Sequence, residues 1–162
     1  TFFNVERIDP QRKVIETIEG TTLAFDLLIG IPEHEAPPFL EASGLTDAGW
    51  VPTDRHTLQV KGHDRIYALG DVTDLPVSKA GSVAHYQANV VTQNLAARLR
   101  GVPALARYNG KTFCFIETGA DKATYVEFDY ENPPQPVPAS RWIHWAKLAY
   151  NQTYWMTARG VV

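Results

Sequence analysis

Three short stretches hold the residues best suited to chemistry. Gly70-Asp71 ends the run Arg65-Ile66-Tyr67-Ala68-Leu69 and puts a carboxylate at the tip of an expected strand. In an open α/β sheet the carboxyl ends of the strands form the crevice where ligands sit, and a carboxylate there can accept hydrogen bonds from ribose or ribityl hydroxyls. The dipeptide alone fits equally well an aspartate that closes a strand or caps a turn. Lys79-Ala80-Gly81-Ser82 opens a long helical pattern. Unpaired N–H groups and the positive end of the helix dipole at such a start favour an anionic or carbonyl-rich ligand edge. Cys114, the only cysteine, lies between Phe113 and Phe115. Its pattern alone suits a small buried apolar residue.

These stretches need elements to position them. The 162 residues bound one domain, or a domain with a sub-domain. Residues 2–8, 13–18 and 22–31 read as a three-strand meander, with Asp9-Pro10-Gln11-Arg12 as a type I turn between the first two. The third run is the most continuously apolar and predicts a strand buried on both faces. Residues 32–54, with four prolines, read as loop. Residues 57–60 and 65–69 read as short strands around a Gly62-His63-Asp64 turn. Residues 80–100 predict one long helix whose apolar face is Ala84, Ala88, Val91, Leu95 and Leu99, with Gly101 as its C-cap. Residues 111–117 and 123–130 predict a hairpin with Thr112, Cys114 and Ile116 on one face and the two phenylalanines on the other. A stiff proline-rich linker over 132–138 leads to an aromatic-rich helix over 140–160 with Ser140 as N-cap. In that helix Trp142, Ile143, Trp145, Leu148, Tyr154, Trp155 and Met156 leave a narrow polar stripe through His144, Lys147 and Asn151.

The stretch Ile66–Val72, followed by Lys79–Gly101, resembles the closing FAD-contact segment of the flavin-dependent pyridine nucleotide-disulfide oxidoreductases. Within that group the chain is most similar to the sulfide:quinone oxidoreductases, and Tyr108–Tyr130 resembles the later segment where they keep a redox cysteine. The resemblance implies an α/β fold with an α+β C-terminal part: last strands and helix of a Rossmann-like FAD domain, then a β-hairpin and a terminal amphipathic helix. It divides the chain into 1–65, a return from the pyridine-nucleotide half; 66–101, closing strand and helix of the FAD domain; and 102–162, hairpin and helix. It implies FAD as cofactor, with Gly70, Asp71 and Val72 at the ribityl chain and Lys79, Ala80 and Gly81 near the pyrimidine edge of the flavin. It makes Cys114 the catalytic residue, one of two cysteines near the flavin, helped toward the thiolate by a cation such as Lys79. Electrons would pass from sulfide to a quinone or cytochrome acceptor. A single-polypeptide NADH:quinone oxidoreductase also fits around Gly70-Asp71 but does not require Cys114. A non-catalytic interaction or dimerisation module on this scaffold is the reading of a different class.

The remaining features narrow the field. A net charge of −3 gives no reason to expect nucleic acid. A single cysteine excludes an intrachain disulfide and a cysteine-based zinc site. Glu33-His34-Glu35 lacks a spaced third ligand, so no metal is expected. No signal peptide and no run of about 18 apolar residues is present, which suggests a cytoplasmic or peripheral membrane location. The aromatic helix, residues 140–158, could lie on a membrane surface or pack in a homodimer. The chain opens without an initiator Met, and Met156 is its only methionine. It therefore reads as part of something longer, inactive alone, with the phosphate-binding fingerprint and second cysteine elsewhere.

Overall fold

The computed structural model describes residues 3–31 and 34–159, with the backbone only at residue 157. Pro32 and Glu33 fall outside the described residues, and with Glu33 part of the Glu33-His34-Glu35 run. Two compact units emerge, residues 1–34 and 35–162. The boundaries expected at 65 and 101 both lie inside the second.

The first unit is a meander of β1 (Val5–Asp9), β2 (Val14–Thr17) and β3 (Thr22–Ala24), antiparallel in the order β1-β2-β3. The Asp9 side chain fixes its first turn. Oδ1 accepts from the Gln11 and Arg12 amides at 3.0 and 2.9 Å, and these bonds hold the acid below the usual carboxylate range, chiefly through Arg12. Among the described residues of this unit only Ile15 and Thr17 are buried. The expected long strand over 22–31 is corrected: β3 has three residues, and Leu27, Ile29 and Ile31 are exposed. A unit of this size cannot cover both faces of a strand, and β3 pairs on one side only, with β2.

In the second unit α1 (Pro38–Ala42) interrupts the proline-rich loop. The expected strands at 57–60 and 65–69 pair antiparallel through the bridge Gln59↔Tyr67 and the bonds Val60 N→Ile66 O and Ala68 N→Leu58 O. The only parallel bridge among the described residues joins Val51 to Thr73. Val51, Val60 and Ala68 form one small core; Leu58, Leu75, Val83, Val90, Val91 and Tyr108 form the main one.

Helix α2 (Gly81–Leu99) ends as expected. Gly101, at φ +69°, donates to Arg98 O, and Val102 N reaches Ala97 O, the paired bonds of a Schellman cap. Its buried face, however, is not the one the apolar spacing selects. Val83, Gln87, Val90, Val91 and Asn94 are buried, while Leu95 is 39% and Leu99 89% exposed. Two buried amides explain the rotation. Asn94 donates to Ala106 O and accepts from Ala106 N, both at 3.0 Å, and Gln87 Oε1 accepts from Gly70 N at 2.6 Å. A polar side chain that satisfies main-chain groups is stable inside, so the helix turns these residues inward.

Strands β4 (Thr112–Glu117) and β5 (Ala123–Phe128) form the expected hairpin, with Cys114 opposite Val126. Helix α3 (Arg141–Ala158) packs against β5 and begins at Ser140, whose Oγ accepts from Ile143 N at 3.2 Å.

Candidate functional site

The Gly-Asp turn comes first. Gly70–Val72 forms a single 3₁₀ turn, and Gly70 has φ +73°, a conformation that costs residues with a Cβ. Gln87 tethers this turn to α2 by taking the Gly70 amide. Its buried Nε2 lies beside the Tyr108 hydroxyl without a hydrogen bond of good geometry to any described residue, and that hydroxyl donates to Lys111 O. Asp71 is exposed, and its backbone oxygen accepts from Lys79 Nζ.

Lys79 is locked beneath the turn. Its Nζ donates to Asp71 O at 2.9 Å and Thr73 O at 2.8 Å and lies 3.9 Å from the centre of the Trp50 ring. Desolvation holds its ammonium below the usual lysine range, opposed by the carboxylates of Asp71 and Asp74. This side chain braces the loop from Asp71 to Thr73.

A second feature begins at the start of α2. The N-cap position is Ala80, which has no side chain able to cap, so no side chain takes the first-turn amides. Ala80, Gly81 and Ser82 open onto a cavity of about 430 Å³ whose other walls come from β4 and α3: Phe113, Cys114 and Phe115, then Lys147, Tyr150, Asn151 and Tyr154. The Ser82 hydroxyl donates to Phe113 O and ties the helix start to the cysteine strand. Burial, with Tyr154 and Tyr86 adding to it, pushes the Tyr150 phenol up and keeps it neutral. One cavity thus brings together a thiol, an ammonium, open helix amides and four aromatic rings.

No family model matches the chain. It is 32% identical over 133 residues to the mitochondrial sulfide:quinone oxidoreductase of Mus musculus, a match covering 79% of this chain and 30% of the mouse protein. The chain is a homologue of the sulfide:quinone oxidoreductases. It spans less than a third of the length of the mouse relative. The sulfide:quinone oxidoreductase of Aquifex aeolicus superposes with a TM-score of 0.78 at 21% identity, covering 96% of this chain and 41% of that one, a likeness of fold. A chain in the Tetrahymena thermophila mitochondrial ATP synthase tetramer matches with a TM-score of 0.67 at 29% identity, over 76% of this chain and 31% of that one.

Among the expected site residues of this sulfide:quinone oxidoreductase homologue, Ala80, Gly81 and Cys114 share the cavity, while Gly70, Asp71 and Val72 form the turn that Gln87 ties to α2. Lys79 is not among the residues lining the cavity with Cys114; the cation there is Lys147. The polar spacing of His144, Lys147 and Asn151 marked this stripe but not what it faces. Lys147 and Asn151 face the cavity, while Trp142, Trp145 and Trp155 are 84%, 61% and 68% exposed. Gln87 and Asn94 were also missed, since amides in a helix carry no spacing signal of their own.

Proposed function

We propose that this chain supplies part of the active site of a flavin-dependent oxidoreductase that passes electrons from sulfide to a quinone. The observation that carries the reading is the cavity itself, where Cys114 faces the uncapped start of α2 and the Lys147 ammonium. These residues fit FAD: the open amides at Gly81 and Ser82 suit the carbonyl-rich pyrimidine edge, and the turn at Gly70–Val72 leaves the Asp71 carboxylate outward for ribityl hydroxyls. Bound there, the flavin supplies two-electron transfer between donor and acceptor. In this reading it closes a Rossmann-like FAD domain contributed by residues 66–101. Cys114 reacts as the thiolate, with Lys147 rather than Lys79 as the favouring charge, and it pairs with a second cysteine beyond this chain. Phe113, Phe115, Tyr150 and Tyr154 make an apolar slot suited to a flat quinone ring, and so favour a quinone over a cytochrome acceptor. The outward tryptophans of α3 would rest at a membrane surface. No described helix is long and apolar enough to cross a membrane.

The test uses the full-length protein. Cys114→Ser should abolish anaerobic bleaching of the flavin by sulfide while chemically reduced flavin is still reoxidised by quinone. Unchanged bleaching by sulfide sinks the reading, and bleaching by NADH instead supports the NADH:quinone alternative. The likeness to a chain within the ATP synthase tetramer favours a second reading, a scaffold module without catalysis. Full-length protein that purifies colourless and releases no flavin on denaturation would support it.

A further inference from the structure

Gln87 is 0% exposed and lies on the same face of α2 as Val83, Val90 and Val91. Its Oε1 accepts from Gly70 N at 2.6 Å. Ala84, one turn earlier on the helix, is the neighbour of Gly70: a Cβ at position 70 would meet Ala84 Cβ at 3.4 Å. The Gly-Asp turn thus rests on α2 over these two residues. Its carbonyls are held from elsewhere. Gly70 O accepts from the Thr73 hydroxyl at 2.9 Å, Val72 O from Val51 N at 2.9 Å, and Asp71 O and Thr73 O both from Lys79 Nζ. The Gly70 N–H is the donor that joins the turn to the helix. Carbonyls inside a helix are engaged within it, so a side-chain acceptor has to take that donor. The other half of the amide has no such task. Nε2 is buried beside the Tyr108 hydroxyl without a hydrogen bond of good geometry, and that hydroxyl donates to Lys111 O at 2.8 Å. A buried donor without a good partner lowers stability, and methionine or leucine at 87 would carry no such donor. Core packing therefore does not account for a glutamine here, whereas its acceptor does.

We propose that Gln87 is a positioning residue for flavin binding, which by accepting from Gly70 N fixes the turn that presents the Asp71 carboxylate to the ribityl hydroxyls. The inference rests on the flavin reading above and names a determinant of it. Gly70 has φ +73° and opens the 3₁₀ turn, and the next residue is the exposed Asp71. Anchoring the Gly70 amide to a rigid helix fixes where that carboxylate stands. A carboxylate already in place accepts from a hydroxylated chain without first being ordered, whereas a loose turn loses affinity to its own ordering. Gln87 is itself enclosed by protein and is not among the residues lining the cavity with Cys114. It acts through Gly70 and Asp71, and so positions rather than catalyses.

The experiment titrates full-length protein, stripped of flavin, with FAD and with an FAD analogue whose ribityl hydroxyls are replaced by hydrogen. Wild type should bind FAD more tightly than the analogue. Gln87→Met keeps the length of the side chain but offers only a weak acceptor. It should lower FAD affinity about 10-fold and leave that of the analogue within about 2-fold. Gln87→Glu retains the acceptor. At pH 6, where burial keeps the acid neutral, it should hold FAD affinity within about 3-fold of wild type. A packing role predicts the reverse order, with methionine tolerated and glutamate not. Unchanged FAD affinity in Gln87→Met, equal losses for FAD and the analogue, or a loss in Gln87→Glu as large as in Gln87→Met would each overturn the proposal. Hydrogen exchange of the Gly70 amide in flavin-free wild type needs neither variant. That amide should be protected about 100-fold or more, and exchange as fast as in an unstructured chain overturns the proposal even if a variant does not fold. Wild type that binds no FAD would sink the flavin reading and this role with it, whereas wild-type binding with unchanged variants sinks the role alone.

Discussion

Replacing Asn94 by Ala tests which face of α2 holds the protein together. Asn94 is 1% exposed and forms a closed pair with Ala106, Nδ2 to O and N to Oδ1, each at 3.0 Å. The substitution removes these two hydrogen bonds, about 1 kcal/mol each, with a longer third from Nδ2 to Thr57 O at 3.5 Å, and strands two half-buried main-chain groups of Ala106, each partly rehydrated. Together with the lost side-chain volume, a cost of about 3 kcal/mol is expected, or roughly 6–12 °C in Tm for a chain of this size. Leu95→Ala is the control on the apolar face that the sequence spacing selects. Leu95 is 39% exposed, so its truncation should cost about 1 kcal/mol or less, well below full burial of a leucine. Urea unfolding followed by far-ultraviolet circular dichroism measures both. The reasoning is refuted if Leu95→Ala costs more than Asn94→Ala, because the helix would then bury its apolar stripe and expose its amides.

Other outcomes follow from single contacts. Gly70→Ala should cost about 1–2 kcal/mol from the left-handed backbone alone, since the nearest atom a Cβ would meet is Ala84 Cβ at an ordinary 3.4 Å; thermal unfolding checks it. Lys79→Met removes the brace on Asp71 O and Thr73 O, so flavin affinity, read by fluorescence on release, should fall about 10-fold in the full-length protein, the equivalent of about 1.4 kcal/mol. Equal affinity would show that the brace is idle. Ser140→Ala should lower stability by about 1 kcal/mol through loss of the N-cap bond to Ile143. The pairing with Lys147 and His144 lowers the pKa of Glu117 in the folded state, so it contributes above the ordinary glutamate value, near 4.5, and is lost as the pH falls through the lower folded value. Acid unfolding of Glu117→Gln should therefore show a shallower loss of stability below about pH 4.5 than wild type.

Local rules carried some elements and failed on others for physical reasons. The Asp9-Pro10 turn, the Gly101 cap, the Ser140 cap and the hairpin around Cys114 each depend on a few neighbouring residues, and all are present. The buried face of α2 depends on partners outside the helix. Ala106 and Gly70 offer main-chain groups that only an amide can satisfy, and no periodicity within 81–99 contains that information. Residues 22–31 failed for a related reason. Apolar continuity reports that a segment can be buried, whereas burial needs a covering layer, and the first unit has too few residues to provide one. At the candidate site, Cys114, Ala80 and Gly81 were legible as types in suitable places. Lys79 was legible as a cation near the helix start, but the direction of its side chain was set by Trp50 and two carbonyls upstream of it in the chain.

Helix α3 shows how the same pattern can be read in two opposite senses. His144, Lys147 and Asn151 recur at steps of three and four, a polar stripe that in an isolated amphipathic helix faces water. Here Glu117 at the end of β4 supplies the carboxylate that His144 and Lys147 need, so the stripe turns toward the hairpin. Between these residues, Tyr150 and Tyr154 fill the wall of the cavity, which places Phe115 5.9 Å from the Tyr150 ring. Once the polar stripe faces inward, the spacing of Trp142 and Trp145 forces them outward, whereas Trp155, four residues after Asn151, is exposed although it follows the stripe. The chemistry of the cavity and the exposed aromatic face are then two consequences of one ion-paired carboxylate. Glu117→Gln should weaken the docking of α3 on the hairpin and the hold on Lys147 together, visible as faster amide exchange across 141–150 than in wild type. If exchange in α3 is unchanged, the orientation of the helix is set by the tyrosines rather than by charge.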